Sequence, residues 1–129
     1  MFHYLRLMSI INVRVKNIRK LGYQNLKEWT ENDNNVYIGR AGIVFVEKER
    51  FPKKSSEFHN PFKIGKDGTR EEVLEKYKNY ITDKLKNNNQ LVEELIKLKN
   101  KNLGCWCYPE KCHGNILLEL IKQYTDHSI

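Results

Sequence analysis

The chain has 129 residues, 40% hydrophobic and 30% charged, enough for one ordinary globular core and too few for a second. No apolar run approaches the roughly 20 residues of a helical bilayer span, and the N-terminus is too short and polar for a secretory leader, so an intracellular, membrane-free protein is expected. The formal charge of +7 suits an anionic partner, a nucleotide, a phosphate or nucleic acid; dispersed lysines beside abundant Asn and Ile are equally what an AT-rich genome leaves behind.

Residues 1–9 are expected to be a disordered extension, with Met8 a second candidate start, residues 10–125 the single domain and residues 126–129 a tail. β-branched residues over 10–15 predict a first strand. A turn over 20–23 leads to a short helical segment from Leu26 to Trp29, with Asn25 as its cap. Residues 32–35 break the chain before a second strand over 36–40, and the apolar run 43–46 predicts a third. Residues 50–68 read as a long loop, which in a small domain is functional or disordered; Phe58, Phe62 and Ile64 favour order.

Thr69 and Glu72 form a capping box, after which Val73, Leu74, Tyr77, Tyr80, Ile81 and Leu85 recur at helical spacing. Three asparagines at 87–89 interrupt before a second helical stretch from Leu91 to Leu98. Residues 103–107 are a short apolar strand, and Ile116, Leu117, Leu120, Ile121 and Tyr124 mark a closing helix that begins near Cys112 or His113. This order predicts an α/β class: a single small Rossmann-like or flavodoxin-like domain, its partly parallel sheet flanked by helices.

All three cysteines fall within residues 105–112, next to His113 and Gly114. An odd number of thiols at this spacing suits no disulfide framework. Strand alternation sends Cys105 and Cys107 to one face and Trp106 to the other, while Cys112, His113 and Gly114 open the last helix. That places them at the carboxyl end of a strand, where α/β sheets bind ligands, and at a helix N-terminus, where dipole and free amides favour anions and thiolates. Gly114 would let a phosphate approach closely. In the favoured reading Cys112 is a reactive or orienting thiolate and His113 the proton carrier of a nucleotide or sugar-phosphate pocket. In the second, Cys105, Cys107, Cys112 and His113 close a zinc site; zinc is the one cofactor the motif raises, and the short Cys-x-Cys spacing disfavours it. In the third, the cysteines are core residues and His113 a capping residue.

The blocks Tyr37-Ile38-Gly39-Arg40, Asn60-Pro61-Phe62-Lys63-Ile64-Gly65, Asp67-Gly68-Thr69-Arg70-Glu71-Glu72-Val73, Leu103-Gly104-Cys105-Trp106-Cys107 and Cys112-His113-Gly114 together resemble the domain of unknown function 4326. That family occurs in bacteria, phages and large DNA viruses and carries no assigned activity. The Cys-His ending is also similar to domain of unknown function 488, which implies a flavodoxin-like fold. One departure stands before Asn60, where the family pattern has glycine and this chain has His59, expected to face solvent. The resemblance implies a second half of the site, in which Arg40, Asn60, Lys66, Asp67, Thr69 and Arg70 face the cysteines around an anion. Asp67 and Thr69 are also explained by a turn and a cap, and Asn60 by an Asx turn. The expected function is binding or processing of a nucleotide, nucleobase or ribosyl-phosphate ligand, as a transferase or hydrolase if catalytic. The alternatives are a zinc-stabilised basic module on nucleic acid and a viral interaction protein without catalysis.

Overall fold

Three short parallel strands organise the chain in the computed structural model, which describes residues 9–125. The expected extension and tail lie outside those residues, except for Ser9, which opens the first strand. In chain order the elements are β1 (Ser9–Asn12), α1 (Val15–Lys20), α2 (Leu26–Glu31), β2 (Asn35–Tyr37), β3 (Val44–Val46), β4 (Glu49–Phe51), α3 (Arg70–Lys86), α4 (Asn89–Lys97), β5 (Asn102–Cys105) and α5 (His113–Thr125).

The last strand is the central one. β5 lies between β1 and β2 and pairs in parallel with both, Leu103 standing opposite Ile10 on one side and Val36 on the other. Both faces of the sheet are covered, as parallel sheets require. Ile10, Ile38, Leu103 and Cys105 pack with the buried stripes of α3, α4 and α5, among them Tyr77, Ile81, Leu95 and Leu117. Val13 and Tyr37 pack on the opposite side with Ile18, Leu26 and Trp29 of α1 and α2. The fold is therefore the expected α/β domain, a three-stranded parallel sheet between helices. No helix among the described residues is long and apolar enough to cross a membrane.

Local signals set the helix starts. Thr69 accepts a hydrogen bond from the Glu72 amide at 3.2 Å while Glu72 accepts one from the Thr69 amide at 2.8 Å, the reciprocal pair of a capping box. Asn25 and Asn88 cap α2 and α4 through their side-chain oxygens. Several strand expectations change: the second strand, expected over 36–40, ends at Tyr37, and the last, expected over 103–107, ends at Cys105. The run over 10–15 leaves the strand after Asn12, its last bond to β5 running from the Val13 amide to the Cys105 carbonyl at 2.9 Å, and Val15 already opens α1. Arg50 and Phe51, read as the start of the loop, pair with Glu49 antiparallel to β3 as a hairpin. Glu47 and Lys48 turn it with φ of 53° and 70°, a conformation whose usual Asn-Gly signature the sequence lacks.

Candidate functional site

Cys105 ends β5 and Cys112 immediately precedes α5, so the loop between them must fold back on itself. The Glu110 amide closes its turn on the Cys107 carbonyl at 2.8 Å. Asn12 Nδ2 holds the Tyr108 carbonyl at 2.7 Å, and Arg70 Nη1 holds that of Lys111 at 2.8 Å. Cys112 is itself tied to the helix: its amide donates to Asn115 Oδ1 at 2.9 Å, and its Sγ accepts the Gly114 amide at 3.3 Å. The two thiol sulfurs thereby come within 3.3 Å. Both residues are almost closed to bulk solvent, at 2% and 3% exposure.

Two buried thiols at that distance share a proton. The bond to Cys112, opposed by burial and aided by the Tyr108 and Cys107 amides, brings the Cys105 thiol down to about 6. Cys112 is pushed up by the same bond, by burial and by the neighbouring Cys105 charge, with only the Gly114 amide opposing. The negative charge expected on Cys112 at the helix terminus is thereby shared with Cys105 at the strand end, toward which the sulfur–sulfur bond draws it.

His113 Nε2 lies 2.7 Å from the Ile38 carbonyl, an acceptor only, so Nε2 carries the hydrogen and Nδ1 is the ring's acceptor. Tyr77 meets the imidazole edge-on at 5.1 Å between centroids. Burial lowers the imidazole to about 4 against the bond to Ile38, with His59 and Arg40 adding repulsion. The ring is neutral at physiological pH. His59, expected to face solvent, is half-buried with Nδ1 2.8 Å from the Ser56 carbonyl.

A cavity of about 370 Å³ opens onto this cluster. Cys105, Cys107, Cys112 and His113 line it together with Arg40, Asn60 and Arg70, bringing both halves of the expected site to one place. Phe62, Val73 and Trp106 supply apolar wall, and Lys63 and Lys111 add two cations; Lys63 stands inside a quoted family block with no role assigned to it, and Lys111 directly precedes the Cys112-His113-Gly114 block. Trp106 therefore reaches the same cavity as the cysteines that flank it, because β5 ends at Cys105 and strand alternation does not continue. Arg40 donates from Nε and Nη2 to the Asn60 carbonyl at 3.1 and 2.8 Å and from Nη2 to that of Phe62 at 3.1 Å, while Asn60 Oδ1 closes an Asx turn on the Phe62 amide. No carboxylate is among the described lining residues; Glu110 meets Arg70 Nε at 3.9 Å from outside it.

Four expected residues stand apart from the lining. Lys66 is exposed, Asp67 accepts the Lys63 amide at 2.8 Å, and Thr69 is spent as the cap. Gly114 is tightly packed: a Cβ there would stand 3.2 to 3.3 Å from Ile38 Cδ1, Cys112 Sγ and Ile10 Cδ1. The zinc donor set does not converge either. Among the described residues no three His, Cys, Asp or Glu side chains are arranged to hold a metal, and Nε2 of His113 is committed to Ile38.

The family model for a domain of unknown function, DUF4326, matches residues 22–123, a stretch that includes every residue lining the cavity. An uncharacterised protein of Acanthamoeba polyphaga mimivirus is 34% identical over 96 residues, covering 68% of this chain and 67% of that protein. An uncharacterised 12.4 kDa protein in the nrdA-td intergenic region of Enterobacteria phage T4 is 33% identical over 61 residues, 46% of this chain; the match spans 56% of that protein's length. No solved structure matches the chain at a significant level.

Proposed function

This chain belongs to the DUF4326 family, and we propose that its cavity binds a small anionic ligand of the nucleotide or ribosyl-phosphate class. The observation that carries this reading is the lining itself: Arg40, Lys63, Arg70 and Lys111 with no described carboxylate, beside apolar walls, three thiols and an imidazole. An apolar body with one anionic group matches such a lining, and about 370 Å³ lies within the range of small-ligand sites. Arg40 Nη1 and Arg70 Nη2 have no hydrogen-bond partner among the described residues, although both guanidinium groups also hold loop carbonyls.

As an enzyme it would act by transfer or hydrolysis at a ribosyl or nucleobase carbon. Cys105 Sγ is the nucleophile; Cys112, first expected in that role, is the thiol that orients and supplies the proton. His113 fixes the floor through Ile38 and presents a bare Nδ1 as acceptor. The zinc-stabilised nucleic-acid module gains no comparable support, since no three such donors are arranged to hold a metal among the described residues.

Titration of the reduced protein with a nucleoside monophosphate, ribose 5-phosphate and an uncharged nucleoside tests the reading. Trp106 lines the cavity, so its fluorescence reports occupancy. Phosphate-bearing compounds are expected to change that emission and raise Tm, and the double variant Lys63→Gln/Lys111→Gln to bind them more weakly. Equal behaviour of the charged and uncharged compounds would overturn it.

A further inference from the structure

We infer that Cys105 and Cys112 are a redox-active dithiol, closing reversibly to a disulfide on oxidation by a small-molecule disulfide of the glutathione class. The sulfurs stand 3.3 Å apart and need approach by only about 1 Å to reach S–S bonding distance. They join two segments that other bonds already hold in place, the end of β5 and the cap of α5. Both line the cavity, so a small reagent reaches them although bulk solvent barely does. The cations Lys63 and Lys111 on the same lining suit an oxidant that carries carboxylates. The inference stands on sulfur geometry and is independent of the ligand proposed above.

The exchange balances as follows. Cys105 Sγ, as thiolate, bonds to one sulfur of the oxidant; the oxidant's S–S bond breaks and its other half leaves as a thiolate, which takes up the proton that Cys112 gives up. Cys112 Sγ then bonds to Cys105 Sγ, the mixed disulfide breaks, and the second half leaves as a thiolate that solvent protonates. Two electrons pass from the protein to the oxidant.

The full chain, reduced and then incubated with oxidised glutathione, is expected to fall from three titratable thiols to one and to lose the mass of two hydrogens. Trypsin, cutting after Lys101 and Lys111, puts Cys105 and Cys107 on one peptide and Cys112 on another, so the oxidised protein yields these joined. Cys107→Ser must still close, and Cys112→Ser must stall as a glutathione adduct or close only within the first peptide. A folded Cys107→Ser protein that keeps both thiols after oxidation overturns the inference. Ligand titrations in excess reductant report on the anion site separately, so either idea can fail alone.

Discussion

Cys105 and Cys112 hold one proton between them across 3.3 Å, at the meeting of the central strand and the last helix. Each thiol determines what the other does, so the pair titrates as a unit. The pair's first ionisation is drawn down to about 6, and its second is pushed above the ordinary thiol value. Ultraviolet thiolate absorbance is expected to rise by one equivalent through that first step, well below the ordinary thiol range. Cys112→Ala removes the donor and should move the step upward. The linkage follows. Between about 6 and the ordinary thiol value of 9.0 the unfolded chain holds one proton more than the folded pair, so stability rises with pH. Above 9.0 the unfolded chain has lost both protons while the folded pair keeps one, so the sign reverses. A Cys112→Ala profile that matches wild type would remove the shared proton from the account.

His113 makes the acid limb steeper. Its folded value of about 4 lies below the ordinary 6.5, so the unfolded chain takes up a proton in that interval and the folded chain does not. The stability contributed is present above 6.5 and is lost as pH falls to about 4, amounting to about 3 kcal/mol across the window. Urea titrations at both ends should show this loss in wild type. His113→Gln should be less stable near neutrality and flatter below it, because its side chain does not titrate.

The parts of this structure legible in the sequence are those fixed locally. The Thr69–Glu72 box, the Asn25 cap and the buried stripe of α3 are written within a few residues of one another and fold as read. The β3–β4 hairpin was half legible, because Glu49, Arg50 and Phe51 carry no buried run and the turn uses Glu47 and Lys48. The spacing of the cysteines located the floor of the site, and the family blocks supplied Arg40, Asn60 and Arg70. That Lys63, Lys111 and Trp106 share one cavity was not legible, since only the folding of two loops over it brings them together. The division of labour between Cys105 and Cys112 was beyond reach, for it turns on a distance between sulfurs seven residues apart.

Gly104 shows why the central strand carries a glycine. A Cβ there would lie 2.6 Å from Trp29 Cη2 and 2.7 Å from Val13 Cγ1, inside the cluster beneath α1 and α2. The indole is fully packed and has no room to retreat. Gly104→Ala should cost about 1–3 kcal/mol by overpacking, measured by chemical denaturation. Trp29→Phe in the same chain should recover part of that loss if the clash is with the indole; no recovery would place the strain in the strand itself.

Arg40 joins loop architecture to charge, and the two roles separate by substitution. Its planar fork reaches the carbonyls of Asn60 and Phe62 from two nitrogens, a geometry that a lysine ammonium, as a single point charge, does not reproduce. Arg40→Lys keeps the positive charge at the cavity wall but frees the segment that carries Phe62 and Lys63. Amide exchange over residues 60–64 should quicken while Tm falls by only a few degrees, because the segment lies outside the two cores apart from the edge of Phe62. Affinity for a nucleoside monophosphate should drop about tenfold, equivalent to about 1.4 kcal/mol. Lys63→Gln should weaken binding without altering exchange. If Arg40→Lys binds as wild type does while the loop opens, the guanidinium serves the loop alone and the anion is held by Lys63, Arg70 and Lys111.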